Sequence, residues 1–283
     1  MDLGLAGRRY VVTGGSRGLG LATAQALAAD GAATLLVARD PARLAEVTRD
    51  LGPGHDSLAL DLAHPRAADR IAQAVGRVDG VLVNVGGPPP GSVLELDDAQ
   101  WRTAIDGVLM ASLRLLRALA PQIEDAGSML VVLSSTAKEP LRGLGASNAL
   151  RPGLAMVVKD LADSLAPRVR VNGILPGRIA TERLRAVATG DLGEGVPLGR
   201  PGDPQEFGRV AAFLLSPAAS YVTGTLVSVD GRAPLCVIEL EHGPGGGTAH
   251  VHKRSVDRSH GVCDPVRRAG IGQIKRQEVM ARS

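Results

Sequence analysis

The fold is decided by the segment Thr13-Gly14-Gly15-Ser16-Arg17-Gly18-Leu19-Gly20, which joins the apolar run Arg8–Thr13 to an Ala/Leu-rich segment of helical spacing. Glycines at such a junction allow a tight turn and let backbone N–H groups approach a phosphate, whose charge the positive end of the following helix stabilises. A glycine pattern alone is weak evidence, but its position between a strand and a helix makes it specific. The segment predicts a βαβ unit that binds a dinucleotide.

Outward from this segment, short apolar runs alternate with longer helical segments through residues 1–231. Most of the runs are apolar throughout, as strands covered on both faces are. The predicted strands are Arg8–Thr13, Ala33–Ala38, Ser57–Leu60, Gly80–Val85, Ser128–Leu133, Val169–Leu175 and Leu226–Val229. We therefore expect an α/β fold with a Rossmann-type, doubly wound parallel sheet in a single domain.

Two Asp-Pro pairs mark the starts of helices. Asp40 can cap the free N–H groups of a first turn, while Pro41 occupies the first helical position, where a missing N–H costs nothing. Asp203 repeats the arrangement, with Glu206 placed three residues later for a capping box. The helices predicted from apolar spacing include Asp98–Glu124, Pro152–Ala166 and Phe207–Leu215.

The end of the second predicted strand distinguishes the two nicotinamide dinucleotides. An acidic side chain there bonds the ribose 2′-hydroxyl, whereas a basic one accepts a 2′-phosphate. The strand ends in Arg39, and Arg17 in the glycine segment is placed to join it. Two guanidinium groups around a phosphate form a strong, charge-assisted site, although both can also be ordinary surface charges. We predict NADP(H) as the cofactor, and the capping role explains Asp40 without the ribose.

At this point the sequence resembles the short-chain dehydrogenase/reductase family over essentially all of residues 2–231. The matching motifs, in chain order, are TGGSRGLG at 13–20, Asp61-Leu62, Asn84-Val85-Gly86-Gly87, Leu133-Ser134-Ser135, Pro176–Thr181 and Tyr221-Val222-Thr223-Gly224 with Val229-Asp230-Gly231. The resemblance implies hydride transfer between the cofactor and a small carbonyl or alcohol substrate. The candidate cofactor-binding residues are Gly14, Ser16, Arg17, Gly18, Leu19, Gly20, Arg39, Asp61, Leu62, Asn84, Gly86, Pro176, Gly177, Ile179 and Thr181.

Members of this family use a tyrosine as acid/base, a neighbouring lysine that favours its phenolate, a serine that positions the substrate oxygen, and an asparagine that helps to hold a water. Here Ser147 stands where the tyrosine is expected, Arg151 where the lysine is, and Val108 where the asparagine is. The serine is kept, as Ser134 or Ser135, and spacing does not choose between them. The resemblance is thus to an atypical subgroup, with these two serines, Ser147 and Arg151 as the candidate catalytic residues.

Two functions remain open on this basis. One is an NADP(H)-dependent oxidoreductase with an atypical active site, in which Arg151 polarises an oxygen without giving up a proton. Lys138, in the loop over the expected pocket, is an alternative proton donor. The other function is that of a catalytically inactive NADP-binding regulatory or structural subunit. Ser147 and Val108 favour the second, because a serine hydroxyl is a far poorer proton donor than a phenol.

The composition changes after Gly231. Residues 232–283 have nine Lys/Arg against five Asp/Glu, a net charge of +4, which leaves −1 for residues 1–231. All five aromatic residues lie before the change, and both cysteines after it. We expect a dinucleotide-binding domain at 1–235 and a basic tail of low order at 236–283. The family chain normally ends within a few residues of Gly231, so we also hypothesise a shifted reading frame or run-on translation.

The tail offers weak signals for other partners. Cys236 and Cys263 have histidines between and around them, but neither belongs to a Cys-x-x-Cys pair, so we expect no metal site. Its charge is spread without an aromatic platform, which does not favour nucleic acid. No stretch approaches the roughly 20 apolar residues of a membrane span, and no secretory signal is seen, so we expect a cytoplasmic protein. The resemblance implies a homodimer or homotetramer.

Overall fold

The computed structural model of the chain describes residues 2–187 and 191–232. Seven parallel strands are found in these ranges: β1 Arg9–Thr13, β2 Ala33–Ala38, β3 His55–Ala59, β4 Val78–Val83, β5 Ile123–Val132, β6 Val169–Pro176 and β7 Leu226–Val229. They pair in the order β3-β2-β1-β4-β5-β6-β7. The order reverses between β1 and β4, and the loops that leave the carboxyl ends of these two strands border a crevice where ligands bind in such sheets.

Helices cover both faces of the sheet. In the described ranges they are α1 Gly18–Ala29, α2 Pro41–Leu51, α3 Ala67–Val75, α4 Asp98–Ala104, α5 Ala111–Leu119, α6 Gly145–Leu165, α7 Glu182–Val187 and α8 Pro204–Leu215. None of these helices is both long and apolar enough to pass through a bilayer.

Alternate side chains of each central strand enter two separate cores. Val81 and Val131 pack with α3, α5 and α6 on one face. Leu82 and Leu130 pack with α1, α2 and α8 on the other. Burial on both faces explains why most of the strands are apolar. The predicted doubly wound parallel fold is confirmed.

All seven predicted strands are present; β2 and β7 have the predicted ends, and the other five are shifted at one or both ends. The prediction extended β4 to Val85, but the strand ends at Val83. The chain leaves the ladder there because the Asn84 backbone N–H donates to the side-chain Oγ1 of Thr13 on β1 (2.8 Å) rather than to a backbone carbonyl. Side-chain competition of this kind is invisible in a hydrophobicity pattern.

The prediction of a single helix over Asp98–Glu124 was wrong. It consists of α4, a π-helical turn at Ile105–Met110 and α5, and Glu124 already belongs to β5. The apolar Ile123 continues the helical spacing, but its buried side chain starts a strand that pairs with Val78. Periodicity alone does not separate a buried strand end from one more helical turn.

The start predicted at Pro152 for the next helix was also wrong. Helix α6 begins at Gly145 and contains Pro152 in its interior. The first turn is held by the Asn148 backbone N–H, which donates to the Leu144 carbonyl (2.8 Å). The Asn148 side chain also accepts from the Leu141 N–H and donates to its carbonyl oxygen. This early start places residues 147 and 151 on the helix itself.

Both Asp-Pro helix starts are confirmed. Asp40 accepts from the Arg43 N–H (3.1 Å). Asp203 accepts from the Gln205 N–H (2.8 Å), and the Glu206 carboxylate accepts from the Asp203 N–H (2.8 Å). The predicted boundary at 235/236, the tail 236–283 and its cysteines lie outside the described residues.

Candidate active site

The glycine segment forms a compact turn between β1 and α1. Gly14 has a left-handed backbone (φ +63°), and a Cβ there would lie 2.7 Å from Nδ2 of Asn84. A Cβ at Gly20 would collide with the Gly14 carbonyl oxygen. Leu19 and the buried Ser16 complete the turn. The turn thus excludes side chains at two points, because its backbone packs closely against itself and against Asn84.

Helix α1 presents its amino end to this turn. Arg17 is in the N-cap position with extended backbone, and its side chain caps none of the N–H groups. The first turn carries no acidic residue, so its N–H groups and the positive end of the helix dipole are left for an anion. This arrangement fits the pyrophosphate of a dinucleotide.

The two arginines of the predicted phosphate site lie at the surface. Arg17 faces Glu182 at 4.0 Å, with both side chains largely exposed. Arg39 directly follows β2 and is exposed. The end of β2 contacts the turn through the Gly15 N–H, which donates to the Val37 carbonyl (3.3 Å). Arg39 therefore follows a strand end that is hydrogen-bonded to the glycine turn.

Two candidate residues follow β3. Asp61 is exposed, and its carboxylate accepts from the Ala63 N–H (3.0 Å). Leu62 is half-buried and packs against the core. The Leu60 N–H donates to the Ala38 carbonyl (2.8 Å), which extends the pairing with β2 to the edge of the crevice.

The loop after β6 closes the opposite side of the turn. A Cβ at Gly18 would lie 3.4 Å from Cγ2 of Thr181, so the two segments touch. The Thr181 hydroxyl accepts from the Leu184 N–H (3.3 Å) at the start of α7. Ile179 is buried, and a Cβ at Gly177, which follows Pro176, would lie 2.5 Å from Cα of Asp230. The structure brings the first and the last predicted cofactor motifs together.

The two candidate serines follow β5 and are half-buried. Ser134 has extended backbone, and its hydroxyl accepts from the Thr136 N–H (3.2 Å), which starts a short helical turn at Ser135–Ala137. Both serines stand at the carboxyl end of a central strand, where a substrate oxygen can approach from the crevice.

Ser147 has a partner that sequence reasoning missed. Its Oγ lies 2.8 Å from the Thr136 Oγ1, and both residues are buried. Thr136 is directly adjacent to the predicted serine motif, which is the signal that could have identified it. The pair arises because α6 begins at Gly145 and packs beside the turn after β5.

Arg151 lies one helical turn after Ser147 on α6 and is 6% exposed. Its Nη1 donates to the Val132 carbonyl oxygen (2.7 Å) at the end of β5. Its Nε is buried without a hydrogen-bond partner in the described residues. Burial, and then the charge of Arg183, lower the pKa of Arg151 to about 10. The guanidinium stays positive at neutral pH.

Val108 and Lys138 are the two other residues that the sequence singled out. Val108 lies in the π-helical turn and is buried in the core, and its carbonyl accepts from the Ser112 hydroxyl (2.7 Å). An apolar side chain at this place cannot hold a water. Lys138 is exposed, and its Nζ donates to the Ser228 hydroxyl (2.8 Å) on β7. Across the described ranges, no cluster of three or more His, Cys, Asp or Glu side chains could hold a metal ion.

Fold and glycine turn together define a dinucleotide-binding protein of the Rossmann class. The sequence pattern of the family described as enoyl-(acyl carrier protein) reductase matches residues 14–231. An uncharacterized oxidoreductase of Mycobacterium tuberculosis is 36% identical, over 78% of this chain and 90% of its own length. This chain belongs to the short-chain dehydrogenase/reductase family, whose members are nicotinamide-dependent oxidoreductases.

Two solved structures bear on the site. The L-sorbose reductase of Gluconobacter frateurii, complexed with NADPH and L-sorbose, is 31% identical with a TM-score of 0.75, covering 82% of this chain and 98% of its own. An NADPH-bound short-chain oxidoreductase of Pseudomonas aeruginosa PAO1 with an atypical catalytic centre is 30% identical with a TM-score of 0.74, covering 79% and 95%.

Proposed function

We propose that this protein is an NADP(H)-dependent oxidoreductase that interconverts a small carbonyl compound and its alcohol at an atypical active site. The observation that carries the proposal is that Ser147 and Arg151, one turn apart on α6, are both buried. Ser147 is hydrogen-bonded to Thr136, which follows β5, and Arg151 to Val132, which ends β5. Both side chains are polar and buried at the carboxyl edge of the sheet. The NADPH-bound relatives support the choice of cofactor.

The glycine turn and the amino end of α1 would hold the pyrophosphate, and the loop 176–181 would close over it. Arg17 and Arg39 would hold a 2′-phosphate, which favours NADP(H) over NAD(H). When bound, the cofactor supplies the hydride.

The chain's own residues orient the substrate oxygen and stabilise the negative charge that develops on it. One of Ser134 and Ser135 donates a hydrogen bond that positions it. Arg151 stays protonated, so its charge stabilises the negative charge that develops on the oxygen during reduction. The hydroxyls of Ser147 and Thr136 share one hydrogen bond, so when Thr136 is the donor the Ser147 hydroxyl can donate a hydrogen bond to that oxygen.

The test is a panel of small aldehydes, ketones and alcohols with NADPH and NADP⁺. We expect turnover that Ser147→Ala lowers strongly. Exactly one of Ser134→Ala and Ser135→Ala should abolish it, which identifies the positioning serine. NADPH binding without turnover on any member of the panel would instead favour a catalytically inactive binding subunit, for which the buried Val108 is the supporting observation.

The same proposal includes a cytoplasmic homodimer or homotetramer that has neither nucleic acid nor membrane as a partner. Family resemblance supports the assembly. The native mass in solution, measured by light scattering with the full chain, tests it, and a monomer would contradict it.

A further inference from the structure

A buried positive charge in this site lacks a negative partner. Arg151 is 6% exposed, and its hydrogen bonding in the described residues is limited to the Val132 carbonyl through Nη1. None of the ion pairs within residues 2–187 and 191–232 includes Arg151. Buried charges in proteins are normally paired, because an unpaired one is strongly destabilising.

A second guanidinium lies near the first. Arg183, on α7, extends over the segment that follows β4, where a Cβ at Gly87 would collide with its guanidinium. Its charge is close enough to disfavour the protonated form of Arg151. None of the described ion pairs includes Arg183 either. The charges of Arg151 and Arg183 therefore repel each other.

Arg151 is separate from the predicted 2′-phosphate site. Arg17 precedes α1 and Arg39 follows β2, whereas Arg151 contacts the end of β5, beyond β1 and β4 in the sheet. The buried Nε of Arg151 and its Nη2 form one edge of the guanidinium, the edge that a carboxylate can bind with two oxygens. Ser147 lies one turn away on the same helix.

We propose that the substrate carries a carboxylate, which Arg151 and Arg183 bind together beside the reacting carbonyl. This inference rests on the proposed function, since it names the class of its substrate as oxo acids or hydroxy acids. A carboxylate supplies the missing negative charge and relieves the repulsion between the two guanidinium groups. Arg151 is the buried anchor, and Arg183, which is exposed on a short helix, adds the second contact.

The experiment measures equilibrium binding to the full chain saturated with NADP⁺, by calorimetry at constant ionic strength in chloride. The probes are pyruvate, acetoacetate and levulinate, each against its methyl ester, so that the carboxylate varies in distance from the ketone. We expect at least one acid to bind 10-fold or more tightly than its ester. In Arg183→Gln the preference should fall to threefold or less.

Arg185→Gln is the matched control, because Arg185 is exposed on the same helix and is two residues away. It should keep the full preference. Arg151→Met should lose the preference as well; should that variant fail to fold, the exposed Arg183 still provides the test. Equal or weaker binding of all three acids, an undiminished preference in Arg183→Gln, or a loss confined to NADP⁺ affinity would each overturn the inference.

The outcome is separable from that of the proposed function. Tight carboxylate binding without any turnover would contradict the oxidoreductase proposal and leave the anion site standing. Turnover of neutral ketones without a preference for acids would support the oxidoreductase proposal and contradict the carboxylate site.

Discussion

The two ends of the crevice are built in different ways. The cofactor end, around β1, β2 and α1, is shaped by backbone: glycines let the turn pack tightly on itself, and the uncapped N–H groups of a helix supply the positive charge. The reaction end, around β5 and α6, is shaped by side chains from distant segments, which pair Thr136 with Ser147 and Arg151 with Val132. Backbone construction tolerates few substitutions, whereas side-chain construction allows the chemistry to change while the fold is kept.

The largest expected effect is at the cofactor end. In Gly20→Ala the new Cβ collides with the Gly14 carbonyl, so the turn must open. We expect the Kd for NADPH to rise at least about 100-fold, which corresponds to about 3 kcal/mol of strain. Fluorescence titration measures it.

Gly153→Ala is the matched control, because Gly153 lies in helix α6 with open space around its Cβ. It should leave the Kd unchanged and raise the thermal stability slightly. An unchanged Kd in a folded Gly20→Ala protein would break the contrast between the two ends.

A smaller effect is expected from the charge that follows β2. Arg39→Ala removes one guanidinium from the predicted 2′-phosphate site, and a charge-assisted hydrogen bond contributes about 2 kcal/mol. The Kd for NADPH should rise about 30-fold while that for NADH stays the same. Arg49→Ala, an exposed arginine at the end of α2, is the control. An equal rise in the Kd values for NADPH and NADH would refute the specificity proposal.

At the reaction end, Thr136→Val removes a hydroxyl from a buried pair with little change in shape. A neutral hydrogen bond contributes about 1 kcal/mol, so we expect kcat to fall about fivefold with KM unchanged. Thr48→Val, whose hydroxyl bonds only its own helix in α2, should leave kcat as it is. If kcat is the same in Thr136→Val, the pair has no part in the reaction.

The smallest effect concerns α8, which packs on α1 through contact between Gly208 and Ala22. Hydrogen bonds from Arg200, and then from the Asp203 backbone, lower the pKa of Glu206 to about 2. Because the pKa is lower in the folded chain, this stabilisation is complete above about 4.5 and is lost as the pH falls to about 2.

Glu206→Gln should therefore lower Tm at pH 6 by about 2 °C at most, and the difference should vanish toward pH 2. Glu194→Gln, an exposed carboxylate, should show no such dependence. A difference that persists at pH 2 would mean that ionisation of Glu206 does not contribute.

The same contrast explains what could be predicted from the sequence. The glycine turn and the Asp40 and Asp203 caps depend on local backbone chemistry, so the pattern identified them. The Thr136–Ser147 bond and the approach of Arg183 to Gly87 depend on how separate segments pack, which no local pattern encodes.

Helix ends were the weakest part of the prediction. Pro152 resembles a first-turn proline, yet the helix begins seven residues before it. The helix starts early because Asn148 binds the preceding loop with both its backbone and its side chain. That error mattered for the site. With the helix started at Pro152, Ser147 and Arg151 would not be one helical turn apart on a common face.

The parallel sheet also has a practical consequence for anyone who modifies the chain. Arg232, the last residue of the described range, follows β7 at the carboxyl edge, the same edge as the crevice, whereas Arg9 enters β1 at the amino edge. A dye, affinity handle or surface linker attached near residue 232 would compete for space with incoming small molecules. One attached ahead of β1 would leave the mouth of the crevice open, and sensors built on this scaffold should be tethered there.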